Sequence, residues 1–277
     1  MSTNQFEVLP APENLRDVVE CFILNKFTGE EGAAINVFPS GIPGIVFHHM
    51  DGHVAIESIV MQSGHKSFPP TLFLYGPGVE SSVMHFRKGS YSVIQVILRP
   101  HALKALFGIN ALALRNCTVE LNEFSNEDIN ARLLDVGSAS EQVAILTGVL
   151  ADKRKRVETK DDLVEESLAL IHRSACRITV RTLLKNLDIS ERQFERRFSQ
   201  AVGISPRTYI RLKRFNEAIR LMKTGQYNTL TEVAYALNFH DQSHFIHDIK
   251  AFTGITPKSL SQKVEDLFHN QAGYSSV

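Results

Sequence analysis

Arg192, Glu195 and Arg196 lie three and four positions apart in the segment SERQFERRFSQAV, so in a helix their side chains share one side. Phe194 and Phe198, four residues apart, would occupy the opposite side. A guanidinium group can donate two hydrogen bonds to guanine O6 and N7, and a carboxylate can accept one from cytosine N4. The spacing predicts a helix with a buried aromatic face and an outer face suited to base edges in a major groove.

A second copy of this pattern follows 51 residues later in the chain. The corresponding positions are Phe194 with Phe245, Phe198 with Ile249, and Gly-Ile-Ser-Pro (203–206) with Gly-Ile-Thr-Pro (254–257). Each copy predicts a short helix, a tight turn and a capped helix, which is the pattern of a helix-turn-helix. An ordinary helical bundle would bury the same aromatic stripe, so the outer polar face and the local charge favour the helix-turn-helix.

The charge of the chain is unevenly distributed. Residues 1–152 carry 9 Lys and Arg against 16 Asp and Glu, whereas residues 153–277 carry 21 against 14. Between residues 177 and 223 there are 12 basic and 4 acidic residues. The C-terminal half is therefore suited to a polyanion, and the first helix-turn-helix is expected to supply more of the affinity than the second.

The remaining sequence indicates two domains. Up to residue 100, short apolar segments such as SYSVIQVIL alternate with Gly and Pro, which predicts antiparallel strands in a sandwich or barrel. From Pro100 onward the apolar residues recur three and four apart, which predicts helices. We expect an N-terminal α+β domain at residues 1–152, a charged linker or solvated helix end at 153–160, and an all-α domain at 161–277.

Capping residues define the predicted helices of the all-α domain. Ser190 and Asp241 are suited to begin the second helix of each unit, and Gly203 to end the first of them. Pro206 fits the first turn of the next helix and Gly225 its end. The predicted units are a first helix-turn-helix at about 178–203, a connecting helix at 206–223 and a second helix-turn-helix at about 229–254.

Residues 161–262 resemble the DNA-binding domain of the AraC/XylS family of bacterial transcription regulators. The most recognisable stretch is A-Y-A-L-N-F-H-D-Q-S-H-F, followed by F-T-G-I-T-P. The resemblance implies a seven-helix domain with two helix-turn-helix units, whose recognition helices enter successive major grooves of double-stranded DNA. It implies these base-facing residues: Arg192, Glu195 and Arg196 in the first unit, and Gln242, Ser243, His244 and His247 in the second.

Basic residues near helix starts and turns are candidates for phosphate contacts, because free backbone N–H groups and cations there hold the DNA backbone. These are Arg181, Lys185, Arg207, Lys250 and Lys258. The chain departs from the family pattern at Leu184, where a small Ala is usual, and at Asp188 and Asn238, where the turn Gly is usual. Asp and Asn tolerate the left-handed conformation, so we expect both turns to be kept. Ile249 replaces a usual Phe and Leu260 a usual Tyr, and both positions stay apolar.

The N-terminal segments V-F-P-S-G-I-P-G-I-V-F, L-Y-G-P-G and V-I-L-R-P-H-A-L-K-A-L-F-G resemble, less specifically, the β-rich, cupin-like domain of one AraC-type subgroup. That resemblance implies a domain that binds a small effector or forms a homodimer. RNA polymerase is a further candidate partner. The chain has no apolar run long enough for a membrane span and no signal-peptide pattern, so we expect a cytoplasmic protein.

A DNA-targeted enzyme is the alternative hypothesis, with a metal-dependent cupin or a reactive cysteine in the N-terminal domain. Histidines 48, 49, 53, 65 and 85 invite a metal site, but adjacent His48 and His49 would face opposite sides of a strand. The cysteines at 21, 117 and 176 have no metal-ligand or disulfide spacing. Arg99, before Pro100 and His101, could reach an anionic ligand, or could secure a helix start, which we favour. No catalytic residue, cofactor or metal is therefore expected.

Overall fold

The computed structural model describes residues 3–30, 32–125, 127–156, 161–174, 178–224, 227, 229–239, 241–261, 267–270 and 273–276. Three features of the sequence analysis lie outside these residues: Cys176, Gly225 and the linker segment 157–160.

The N-terminal domain is built on two six-stranded sheets whose described strand pairs are all antiparallel. The strands are β1 (Thr3–Pro10), β2 (Val19–Thr28), β3 (Ala34–Val37), β4 (Gly44–His49), β5 (Ile56–Met61), β6 (Lys66–Ser67), β7 (Leu72–Tyr75), β8 (Ser82–Phe86), β9 (Tyr91–Leu98), β10 (Thr118–Glu120), β11 (Leu267–Asn270) and β12 (Gly273–Ser276). The first sheet has the order β1-β2-β9-β4-β7-β10, and the second has β11-β12-β3-β8-β5-β6. The β-rich N-terminal fold is confirmed. Strands β11 and β12 come from residues 267–276, where the sequence predicted only an all-α domain.

The first sheet is covered on both faces because its strands carry apolar side chains on both sides. Towards the second sheet, Val46 and Phe73 pack with Ile59 and Phe86. The other face belongs to a core that is shared with three helices. These are α1 (Ala102–Phe107), α2 (Ile129–Asp135) and α3 (Ala139–Arg156). Helix α3 includes residues 153–156, so the start of the predicted linker continues that helix.

The C-terminal domain contains seven helices within the described part of the chain. They are α4 (Asp162–Arg173), α5 (Val180–Leu187), α6 (Glu191–Val202), α7 (Pro206–Thr224), α8 (Leu230–Ala236), α9 (Gln242–Thr253) and α10 (Pro257–Ser261). One hydrophobic core unites them, with the rings of Phe194, Phe198, Phe215 and Phe245 fully buried. The predicted all-α double helix-turn-helix is confirmed.

Equivalent caps begin and end the helices of the two units. The hydroxyl of Thr179 accepts from the Thr182 amide, and that of Thr229 from the Glu232 amide, each at 3.2 Å. Gly203 and Gly254 close α6 and α9 in the left-handed conformation. Local sequence therefore defines the ends of these helices.

The two turns differ by one residue. Asp188 and Asn238 have φ of 46° and 57°, so both adopt the expected left-handed conformation. They lie 50 residues apart, whereas the following N-caps, Ser190 and Asp241, lie 51 apart. Asp241 accepts from the His244 amide at 2.7 Å, but the Ser190 hydroxyl donates to the Gln193 side chain instead.

The C-terminal domain packs directly on the N-terminal domain. Helix α6 contacts α1 and a 3-10 turn at Ala111–Leu114. A Cβ atom at Gly203 would lie 2.6 Å from Pro77 Cγ and 2.7 Å from the Ala111 carbonyl oxygen, so only glycine fits this approach. Phe38, from the loop after β3, is buried in the helical core and meets Phe215 of α7 edge-on, with ring centroids 6.3 Å apart.

Candidate DNA-binding surface

The predicted base-facing residues of the first unit lie on the exposed side of α6. The rings of Phe194 and Phe198 are buried with their centroids 5.6 Å apart, which fixes the rotation of the helix. Arg192, Glu195 and Arg196 are exposed on the other side. Although the far end of α6 docks on the N-terminal domain, these three side chains remain accessible to a ligand.

The second unit repeats this arrangement with one difference. Phe245 is buried, and Gln242, Ser243 and His247 are exposed on α9. His244 is only half-buried because its ring lies edge-on to Phe239, with centroids 5.5 Å apart. Of the four residues assigned to this face, His244 is thus the one that also packs against the turn.

The five candidate phosphate ligands are all exposed. Arg181, Arg207 and Lys258 are the second residues of α5, α7 and α10, where backbone N–H groups have no partner within the helix. Lys185 lies in the last turn of α5 and Lys250 in the last turn of α9. The arrangement suits an anion at the helix starts.

Two ion pairs that the sequence analysis missed hold the recognition helices in place. In the first unit, Arg197 of α6 donates to Asp161, the N-cap of α4, at 2.6 Å. In the second unit, Asp248 of α9 accepts from Arg211 of α7, also at 2.6 Å. Shifts of 50 and 51 residues bring Asp161 onto Arg211 and Arg197 onto Asp248, so the two pairs are equivalent with their charges exchanged. The sequence repeat thus contains two oppositely charged residues at equivalent positions of each unit, but a comparison that looks for identical residue types does not find them.

The ion pair between Asp161 and Arg197 shifts the pKa of both groups. Burial raises the pKa of the Asp161 carboxyl, but hydrogen bonds from Arg197 and from the Val164 amide outweigh it, and the pKa falls below its ordinary value. The same hydrogen bond raises the pKa of Arg197. Both groups are therefore charged at neutral pH.

His48, one of the five histidines considered for a metal site, has a structural role. His48 is fully buried, and its Nδ1 accepts from the amides of Ala55 and Ile56 at 3.2 and 3.1 Å. Its Nε2 therefore carries the proton and donates to the Pro70 carbonyl oxygen at 2.9 Å. No lone pair remains for a metal. In the described part of the chain, no group of three or more His, Cys, Asp or Glu side chains is placed to hold one.

Two other N-terminal candidates for chemistry are also occupied or unreactive. Arg99 forms an ion pair with Glu20, and its Nε donates to the Arg16 carbonyl oxygen at 3.3 Å, which agrees with a role in securing the chain before α1. Burial raises the pKa of the Cys21 thiol to about 11, so it stays protonated.

Comparison with known proteins agrees with this geometry. Residues 183–263, which include both recognition helices, match a family model described as a helix-turn-helix domain. The chain therefore carries a helix-turn-helix DNA-binding domain. Residues 7–120 match a domain of unknown function, DUF6597. Nothing among the curated proteins matches it.

Solved structures similar to this chain include ToxT from Vibrio cholerae, at 14% identity over 94% of this chain and 98% of that one, with a TM-score of 0.49. ToxT from strain SCE256 with an unsaturated fatty acid bound has 16% identity over 90% and 98%, and a TM-score of 0.48. The AraC-like transcriptional activator CuxR has 12% identity over 79% and 94%, and a TM-score of 0.31.

None of the helices within the described ranges is long and apolar enough to span a membrane.

Proposed function

We propose that this chain recognises a specific sequence of double-stranded DNA by placing α6 and α9 in successive major grooves. The observation that carries the proposal is the matched pair of helices. Each is anchored by buried rings and an ion pair on its inner side and presents polar side chains outward. In this proposal Arg192, Glu195 and Arg196 read one groove, and Gln242, Ser243, His244 and His247 read the next.

The five exposed cations at helix starts and last turns hold the phosphates on either side of these grooves. Arg181 and Lys185 lie in the first unit, and Arg207 follows it at the start of the connecting helix. Lys250 is the one Lys or Arg of the second unit, against Glu232, Asp241 and Asp248, and Lys258 follows it in α10. Because phosphate neutralisation provides most non-specific affinity, the first unit dominates binding.

The N-terminal domain modulates this activity. Its contact with α6 and α7 gives it direct access to both the first recognition helix and the connecting helix. In this proposal the chain is a transcription regulator of the AraC type that acts in the cytoplasm and contacts RNA polymerase. Its N-terminal domain binds a small effector, and the chain forms a homodimer. The proposal assigns no catalytic role to His48, whose ring nitrogens are both hydrogen-bonded, or to Cys21, whose thiol is protonated.

The test is selection of genomic fragments by the purified full chain, followed by fluorescence anisotropy on the recovered duplex and on a scrambled duplex. We expect the Arg192→Ala variant to lose preference for the recovered duplex while keeping its weak, salt-sensitive binding to the scrambled one. Arg132→Ala is the matched control, since Arg132 is exposed on α2 in the N-terminal domain. Failure to recover any fragment at low salt, or an equal loss in both variants, would overturn the proposal.

A further inference from the structure

A cavity of about 320 Å³ lies between the two sheets. Ile23, Val46 and Phe73 of the first sheet line one side of it, and Ile35 and Ile59 of the second sheet line the other. Ligand pockets in proteins begin at about 300 Å³, so this one accommodates a single small organic molecule. Its walls are mostly apolar, which favours an apolar occupant.

The charges around the cavity make it unsuitable for an anionic occupant. None of the described residues that line it is Lys or Arg, and His65, the one histidine among them, is exposed. Its one carboxylate, Glu80, is already occupied: Oε2 accepts from the Ser63 amide at 2.8 Å and Oε1 from the Asn116 side chain at 3.0 Å. A buried anion without a cation beside it is strongly unfavourable. A carboxylate or phosphate ligand therefore does not suit this cavity.

Neutral polar groups on the first sheet give the cavity its specific contacts. Gln95 donates to the Tyr75 hydroxyl at 2.7 Å. Burial raises the pKa of Tyr75, so the hydroxyl keeps a proton that it can donate. Ser67 and Ser82 of the second sheet also line the cavity. Apart from Glu80 and His65, the polar side chains of its wall are therefore neutral.

Gly44 is what allows Tyr75 to take this position. A Cβ atom there would lie 2.3 Å from the Tyr75 hydroxyl oxygen and 2.6 Å from the Val96 carbonyl oxygen. The tyrosine ring crosses the neighbouring strand at the one residue with no side chain.

One wall of the cavity is also part of the helical domain's core. Phe38 lines the cavity and packs edge-on against Phe215 of α7. Three residues later, Gly41 lies close to the same helix and to the turn before it, since a Cβ there would be 3.0 Å from Leu212 Cδ1 of α7 and 3.1 Å from Ile204 Cδ1 of the turn. The loop after β3 is therefore wedged between the cavity and the helix that joins the two DNA-binding units.

We propose that the cavity binds an uncharged, mainly apolar small molecule, and that Phe38 transmits its presence to α7. The inference rests on the proposed function and names the class of effector and its route to the DNA-binding units. A molecule in the cavity touches Phe38, so its binding and the placement of α7 are coupled. Because such coupling is reciprocal, DNA and the ligand change each other's affinity by the same factor.

A pair of fluorescent dyes tests the ligand class without DNA. N-phenyl-1-naphthylamine is uncharged, and 8-anilino-1-naphthalenesulfonate has the same ring system with an added sulfonate. We expect the uncharged dye to bind the full chain at one site, with at least tenfold higher affinity than the sulfonate. Equal affinity for the two dyes, or no binding to folded protein, overturns the proposal.

Two matched valine variants locate the dye. Val37→Phe adds atoms inside the cavity, whereas Val83→Phe makes the same change on a neighbouring strand at a residue that does not line it. We expect at least a tenfold loss of affinity in the first and less than a twofold change in the second. Equal losses would mean that the dye binds elsewhere and would overturn the assignment.

The coupling is tested by measuring the dissociation constant for the selected duplex with and without saturating uncharged dye. We expect a change of at least threefold that persists in Phe68→Ala, where the ring is 70% exposed and outside the cavity, and disappears in Phe38→Ala. Phe38→Leu, which keeps an apolar side chain in the core, should retain part of the change. If the dye leaves the dissociation constant of the wild-type chain for the duplex unchanged, the coupling is overturned. If the chain does not bind DNA at all, the proposed function is overturned, but the dye result still stands.

Discussion

Arg211 holds the buried carboxylate of Asp248 with both Nε and Nη2, at 3.2 and 2.6 Å, and so fixes α9 to α7. Asp161 and Arg197 fix α6 to α4 in the same way with the charges exchanged. Each recognition helix is therefore attached through a charged pair to the helix that precedes its unit.

We predict that Asp248→Asn lowers the free energy of unfolding by about 3 kcal/mol, because it leaves the half-buried Arg211 without a counter-charge. Urea unfolding measures this. The double variant Arg211→Asp with Asp248→Arg copies the polarity of the first unit and should recover at least half of the loss. A double variant no more stable than Asp248→Asn would contradict the equivalence of the two pairs.

The two recognition helices should contribute unequally to DNA binding. Arg196→Ala is expected to abolish specific binding, whereas His247→Ala should weaken it by about 1–3 kcal/mol at one or two base positions. The reason is that the first unit, residues 178–203, has five basic residues against three acidic ones, whereas the second, residues 229–254, has one basic residue against three. Titration of the selected duplex by gel shift measures the affinity of each variant. Equal losses of affinity in the two variants would refute the inequality.

Gly203 and Gly254 form a natural pair of test and control for the contact between the domains. Both close a recognition helix with positive φ, of 84° and 75°. Alanine at either one should cost roughly 1 kcal/mol through backbone strain. At Gly203 the new Cβ would also collide with the Ala111 carbonyl oxygen, whereas at Gly254 the nearest atom, on Gln62, is 3.5 Å away.

We therefore expect Gly203→Ala to be clearly less stable than Gly254→Ala in urea unfolding, and to expose the surface between α6 and α1 to protease. Similar stability and similar proteolysis in the two variants would count against the tight docking of α6.

The turn residues should respond to substitution according to their backbone conformation. Asn238 has φ of 57°, which glycine adopts freely and a β-branched residue does not. Asn238→Gly should leave the melting temperature within a few degrees, while Asn238→Val should cost roughly 1–2 kcal/mol. Thermal unfolding by circular dichroism distinguishes them, and a harmless valine would show that the turn relaxes.

His48 should contribute to a loss of stability in mild acid, together with His101 and His172, whose pKa burial also lowers to about 4. Burial lowers the pKa of His48 to about 4, despite the hydrogen bond to Pro70, from an ordinary value of 6.5 in the unfolded chain. Between these values the unfolded state binds the extra proton, so stability falls as the pH decreases from 6.5 towards 4, and His48 alone accounts for about 2 kcal/mol at pH 5. Urea unfolding at pH 7.5 and pH 5 measures this.

In His48→Gln the difference between the two pH values should shrink by a similar amount, while the same change at exposed His53 should leave it unaltered. An unchanged difference in His48→Gln would mean that another group causes the acid sensitivity.

The sequence by itself determined the local features of this protein. Phe194 and Phe245 had to be buried because their spacing gives each helix an apolar side, and the same spacing left Arg192 and His247 outside. The left-handed turn at Asp188 was predictable because a short polar side chain tolerates that conformation.

Only the tertiary structure decided which distant residues meet. From the sequence, Arg197 is expected to be one more surface cation, but in the structure α4 places Asp161 beside it. Phe38 is expected in a strand region, but packing places it in the core of the other domain. His48 is a possible metal ligand in the sequence, but its lone pair accepts from the amides of Ala55 and Ile56. Residue type and spacing control hydrogen bonds and rotation within one element, whereas contacts between elements depend on how all the apolar faces are buried at once.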